Sequence, residues 1–141
     1  MISKTALSTL KAAVVLARDP EQGFHGAGEI AQAIDAPANY LGKMLQSLVR
    51  QGILISQKGL GGGFKLARDP KEITLYEVVE VIDNLSRLSG CFLGRSKCSG
   101  DNPCPLHKQW GRIRDNYLAM LHDFTLADLA RPGVKVALCQ A

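Results

Sequence analysis

Between Ser3 and Ala17 apolar side chains recur at Ala6, Leu7, Leu10, Val14 and Leu16 or Ala17. That spacing predicts a first helix, ended by Arg18-Asp19-Pro20. After a glycine-containing loop, GEIAQAID gathers Ile30, Ala31 and Ile34 on one face, and Ala36-Pro37 interrupts the pattern before ANYLGKMLQSLVRQG resumes it. The prediction is helix, tight turn, helix. In the second of the pair, Leu41, Leu45, Leu48 and Val49 form the stripe that is buried, which leaves Asn39, Tyr40, Lys43, Gln46, Ser47 and Arg50 for the outer surface. Gly52 supplies a helix stop, and ILISQ followed by KGLGGGFKLAR predicts two short strands around a glycine-rich tip.

Farther along, Thr74 with Glu77 reads as a capping box that opens a helix through about Leu85, with Val78, Val79, Val81 and Ile82 as its apolar content. A cysteine-bearing loop, CFLGRSKCSGDNPCPLH, follows directly. Beyond it Trp110, Ile113, Tyr117, Met120 and Phe124 recur at alternating steps of three and four, a heptad seam on one long helix that calls for a partner helix or, alternatively, packs on the chain's own core. The expected fold is mainly α with a small β-hairpin. It divides into a winged helix-turn-helix over residues 1–70, the cysteine loop with dimerisation helices over 71–130, and a tail over 131–141.

A chain of 141 residues, 46% hydrophobic and 21% charged, has the composition of one globular domain with a short appendage. No charged leader precedes an apolar run, and no apolar stretch reaches the roughly 18 residues of a membrane span, so the expectation is a cytoplasmic protein with no membrane partner. Thiols stay reduced in that compartment, which turns a cysteine cluster toward a metal site or redox centre and away from a disulfide framework. The net charge of +4 matters less than its placement. No acid lies between Asp35 and Asp69, whereas Lys43, Arg50, Lys58, Lys65 and Arg68 do. This basic segment coincides with the second helix and the hairpin, and it suits a phosphate backbone.

In a winged helix-turn-helix the second helix enters the major groove of duplex DNA and the wing lies along the backbone. Asn39 and Tyr40 at the helix start are candidates for base edges or phosphates, with Lys43, Gln46, Ser47 and Arg50 along the same face. Lys58 and Lys65 flank the wing tip, and Gly59, Gly61, Gly62 and Gly63 let the hairpin turn and let its amides approach phosphates. The glycine run matches no full phosphate-loop pattern, because it stands between strands.

Cys91, Cys98, Cys104 and His107 fall at intervals of six, five and two residues, a set of soft ligands fit for an iron-sulfur cluster or for zinc, with His107, where the long helix starts, either a ligand or a group that caps the helix or supports the ligands. The polar segment argues against three buried structural thiols. Gly90, Gly94, Gly100 and Pro103, without paired CxxC turns, favour a loop wrapped around a bulky cluster. Cys139, in the tail, is expected to be a free thiol. No nucleophile with a partner base and an oxyanion site can be named, so an enzyme is not expected.

GLGGGFKLARDPKEITLYEVVEVID, the preceding NYLGKMLQSLVRQGIL and the cysteine loop ending in CPLH resemble the Rrf2 family of winged-helix transcription regulators, over roughly residues 2–125. The cysteine trio is similar to that of its cluster-binding branches. The resemblance implies a homodimer joined through the long helix, binding a palindromic operator on double-stranded DNA and holding one cluster per subunit through Cys91, Cys98 and Cys104. In the branch that regulates cluster assembly a histidine placed like His107 completes a two-iron cluster, whereas the nitric-oxide-sensing branch can use an N-terminal aspartate. Here Leu7 and Ser8 hold the corresponding positions and no acid precedes Asp19, which favours His107 and two irons, with a four-iron cluster as the variant. The implied function is a repressor that senses cluster status, redox state or nitric oxide. Assembly regulators tend to carry Glu-Gln where this chain has Gly42-Lys43, which implies a different operator. Two other readings stand beside it: a winged-helix regulator with structural zinc in the loop, and a redox or metal-carrying protein whose basic face meets a protein partner.

Overall fold

The computed structural model describes residues 2–19, 21–94, 100, 101 and 103–133. Helix α1 (Lys4–Ala17) begins at Ser3, whose side chain accepts from the Ala6 amide at 3.0 Å. Its buried residues include Ala6, Thr9, Leu10, Ala12, Ala13, Val14 and Leu16. Helices α2 (Ala27–Ile34) and α3 (Ala38–Arg50) follow as expected, joined by Asp35 in the left-handed conformation and by Pro37 at the start of α3. Leu41, Leu45 and Leu48 are fully buried. At about 1.5–3 kcal/mol for each such side chain, this stripe fixes which face of α3 is left outward.

Strands β1 (Leu54–Gln57) and β2 (Gly63–Leu66) pair antiparallel with Leu54 opposite Leu66 and Ser56 opposite Phe64. Leu54, Phe64 and Leu66 turn into the core, and Ile55 and Lys65 turn away from it. A third backbone segment completes the wing: His25 exchanges both backbone hydrogen bonds with Phe64, at 2.9 and 2.8 Å. Gly63 is required there, since its φ is +133° and a Cβ would lie 2.2 Å from the His25 carbonyl oxygen.

The capping box of Thr74 and Glu77 opens α4 (Leu75–Asp83), and Glu77 also receives Arg68 at 3.0 Å, tying the wing's exit to the helix start. The helix stops at Asp83, two residues before the expected end. Asn84 turns left-handed there, and a 3-10 segment runs from Leu85 to Ser89. Helix α5 (His107–Asp123) is the long helix, and α6 (Leu126–Ala130) returns to the core through its own capping box of Thr125 and Asp128. A bridge between Thr74 and Thr125 clasps the α5–α6 link to the start of α4. One hydrophobic cluster includes Leu10, Leu41, Phe64, Val78, Leu121 and Leu126, so both halves of the chain share a core. Among the described residues no helix is long and apolar enough to cross a membrane.

The expected seam of α5 divides between two environments. Tyr117 packs against the chain's own cluster with its hydroxyl buried, and burial beside Asp83 holds its pKa above the ordinary value. Ile113, Met120 and Phe124 are exposed, Phe124 just past the helix end. A heptad spacing finds a narrow face but does not decide how that face is shared between the chain's own core and a second helix.

The side chain of His25 joins the parts that carry the wing. Its Nε2 lies 2.7 Å from Asp19 and its Nδ1 2.8 Å from Glu29. Carboxylates only accept, so both ring nitrogens donate and the imidazolium is the bound form. The hydrogen bond to Asp19, then that to Glu29, raises the His25 pKa above 6.5, while His25 and the amides of Glu21 and Gly23 lower that of Asp19 below 3.8. The His25 contribution is therefore complete below pH 6.5 and is lost as pH rises through the folded value; that of Asp19 is lost as pH falls through its folded value. Urea titrations from pH 6 to pH 9 are expected to show stability falling with pH in the wild type, and His25→Gln to remove that component. An unchanged pH dependence in the variant would show that the clasp contributes nothing.

Candidate functional site

Burial of the leucine stripe leaves α3 with a polar outer face. Asn39, Lys43, Gln46 and Arg50 are exposed, and Tyr40 and Ser47 are half-buried. The Ser47 hydroxyl donates to the Lys43 carbonyl at 3.3 Å and accepts from Arg50 Nη2 at 2.9 Å, which lays the guanidinium along the helix. Together with Ala27 of α2 and Phe64 of β2, this face lines an open groove of about 740 Å³. The expected residues of α3 thus share one surface, with Asn39, Gly42, Lys43, Gln46, Ser47 and Arg50 on the groove and Tyr40 beside it.

The wing residues have different environments. Lys58 is exposed before the tip. Lys65 is partly buried, with Nζ 4.7 Å from the centre of the Phe24 ring, so its ammonium is held against the body of the protein. Gly61 has φ +75°, and a Cβ on Gly62 would meet the Gln57 carbonyl oxygen at 2.2 Å; both glycines have a structural reason to be there. Sequence reasoning missed Phe24 and His25, which orient this surface from the loop before α2.

At the start of α5 a second constellation assembles. Cys91 Sγ and Cys104 Sγ are 3.4 Å apart, and the Leu93 amide donates to Cys91 Sγ at 3.4 Å. This separation is far longer than a disulfide bond of about 2.05 Å. It is close to the roughly 3.8 Å edge of a tetrahedron whose metal–sulfur bonds are 2.3 Å. The two thiols therefore fit neighbouring ligands of one metal. Cys98, the third thiol of the expected set, and Cys139 lie outside the described residues, and no three candidate ligands gather among the described ones. His107 is the first residue of α5, and its amide donates to the Cys104 carbonyl at 3.0 Å. Trp110, one turn on, donates from Nε1 to the Gly90 carbonyl at 3.0 Å and stands 5.5 Å from the Phe92 ring, which pins the loop's entry to the helix.

The family model for Rrf2, an Iron-dependent Transcriptional regulator, matches residues 2–132. The HTH-type transcriptional regulator IscR of Escherichia coli is 27% identical over 114 residues, spanning 81% of this chain and 70% of IscR. Among solved structures, CymR, the global cysteine regulator of B. subtilis, superposes with a TM-score of 0.78 at 27% identity, covering 92% of this chain and 95% of CymR. IscR of T. potens superposes at 0.73 with 21% identity, covering 92% and 85%, and shares the fold. Such relatives are regulators and not enzymes, and their winged-helix architecture is the one found here. The chain belongs to the Rrf2 family of DNA-binding transcription regulators.

Proposed function

We propose that this protein is a cytoplasmic homodimeric repressor that binds a palindromic operator and reports iron-sulfur status, redox state or nitric oxide through a cluster at Cys91, Cys98, Cys104 and His107. The observation that carries this reading is the approach of the Cys91 and Cys104 thiols to 3.4 Å at the first turn of α5. A donor set of three thiolates and one imidazole suits a two-iron cluster, with a four-iron cluster as the variant. When bound, such a cluster supplies a centre that changes charge and coordination with oxidant, iron supply or nitric oxide.

The chain's own part is to pass a change in the loop to the helices. Gly90 accepts from Trp110, and Cys104 accepts from the His107 amide, so both ends of the loop are bonded to the first turns of α5. Ile113, Met120 and Phe124 offer an exposed apolar line along that helix, where a second copy would pack, and Trp110 and Tyr117 flank it. A shift of α5 then alters the spacing of two α3 helices, and the signal acts only to the extent that it favours one arrangement over the other. Asn39, Tyr40, Lys43, Gln46, Ser47 and Arg50 would read the operator, with Lys58, Gly61, Gly62 and Lys65 at the wing. Genes for iron-sulfur assembly, iron homeostasis and nitrosative stress are the candidate targets.

Protein purified without oxygen is expected to contain iron and absorb visible light, Cys98→Ala to lose both, and His107→Ala to alter the band shape. A colourless protein with one zinc per chain would overturn the sensor and leave a structural staple in the loop. For the DNA face, Lys43→Ala and Arg50→Ala are each expected to lower the slope of log affinity against log salt by about one, read by anisotropy on duplex DNA. Slopes equal to the wild type would remove those side chains from the phosphate contacts.

A further inference from the structure

Leu60 stands with its side chain wholly outside the fold, at 107% of its reference exposure. A lone surface leucine is ordinarily unremarked, but this one occupies the apex of the wing. The Gly62 amide donates to the Gly59 carbonyl at 3.0 Å and Gly61 has φ +75°, which makes residues 59–62 a type II turn with Leu60 in its second position. The turn is close to its surroundings, since its exit leaves no room for a Cβ: one on Gly62 would meet the Gln57 carbonyl oxygen and one on Gly63 that of His25, each at 2.2 Å. It is also thin: Gly59, Gly61 and Gly62 leave Leu60 as the only side chain at the tip. Exposed Lys58 precedes it, in a segment that holds no acid from residue 36 to 68.

A narrow, cationic tip ending in one branched apolar side chain matches the minor groove of duplex DNA, about 6 Å wide with phosphates on both walls. Leucine is among the side chains that minor-groove binders insert between base steps, unstacking them and bending the duplex toward the major groove. With α3 in the major groove, the wing tip is carried across the adjoining backbone. Resting on the DNA-binding reading of the α3 face, we propose that Leu60 is an apolar wedge that enters the minor groove beside the site and opens a flexible pyrimidine–purine step there.

The test uses the full-length protein to select duplexes from a random-sequence library. The recovered 30-base-pair duplex, labelled at both ends, then reports binding and bending by energy transfer across a salt series. Leu60→Ser, which touches no core residue, is expected to lose about tenfold in affinity and most of the bend with the salt slope unchanged, because no phosphate contact is removed. Leu60→Met is expected to keep both, and Lys58→Ser to keep the bend while lowering the slope by about one. Wild-type affinity and bend in Leu60→Ser would overturn the wedge alone, as would weaker binding with an unchanged bend. A wild-type protein that recovers no duplex would overturn the DNA reading and the wedge with it.

Discussion

Helix α1 is packed against α2, α3, β2, α4 and α6, and this close packing is possible because so many of its buried side chains are small. Ala6, Ala12 and Ala13 have no exposed surface, and Val14 and Leu16 almost none. Alanine lets neighbouring backbones approach and loses no side-chain entropy on burial. The one buried hydroxyl on the helix, that of Thr9, is satisfied internally by the Thr5 carbonyl at 2.8 Å. A larger side chain at any of the three alanines would push outward on several elements together, at a cost of about 1–3 kcal/mol. The orientation of the polar outer face of α3 and the seat of α4 both follow from what α1 allows.

The same helix joins the two ends of the molecule through a polar contact. Ser3, which caps α1, is hydrogen-bonded by its amide and its hydroxyl to Asp83, the last residue of α4. The buried Tyr117 hydroxyl, on the helix that the cysteine loop leads into, has its pKa raised partly by the same carboxylate. The end of α4 therefore stands between α1 and the long helix, with Asp83 itself buried.

Signals that act over one turn of chain were the most legible in the sequence. The Thr74–Glu77 capping box, the leucine stripe of α3 and the glycines of the hairpin each require neighbours only a few residues away. His25 was opaque for the opposite reason: its backbone partner is Phe64, far along the chain, and its carboxylates belong to two different elements. The heptad on α5 was visible, but its division between an inward Tyr117 and an outward Ile113 depends on where α4 lies, which spacing does not encode. Lys65 counted equally with Lys58 in a charge tally, yet only the folded chain places it over Phe24. For the thiols, residue type raised the expectation of a metal site, while the approach of Cys91 to Cys104 is a tertiary contact that spacing does not encode.

The placement of α1 also has a consequence for biosynthesis. It leaves the ribosome well before α6, which covers part of it and begins at Leu126. At typical translation speeds of about 5–20 residues per second, roughly 5–20 seconds separate the two. Throughout that interval a helix rich in alanine, valine and leucine lacks its final cover. The half that carries α3 thus cannot complete its burial before the cysteine loop has been made, and until then part of α1 stays uncovered.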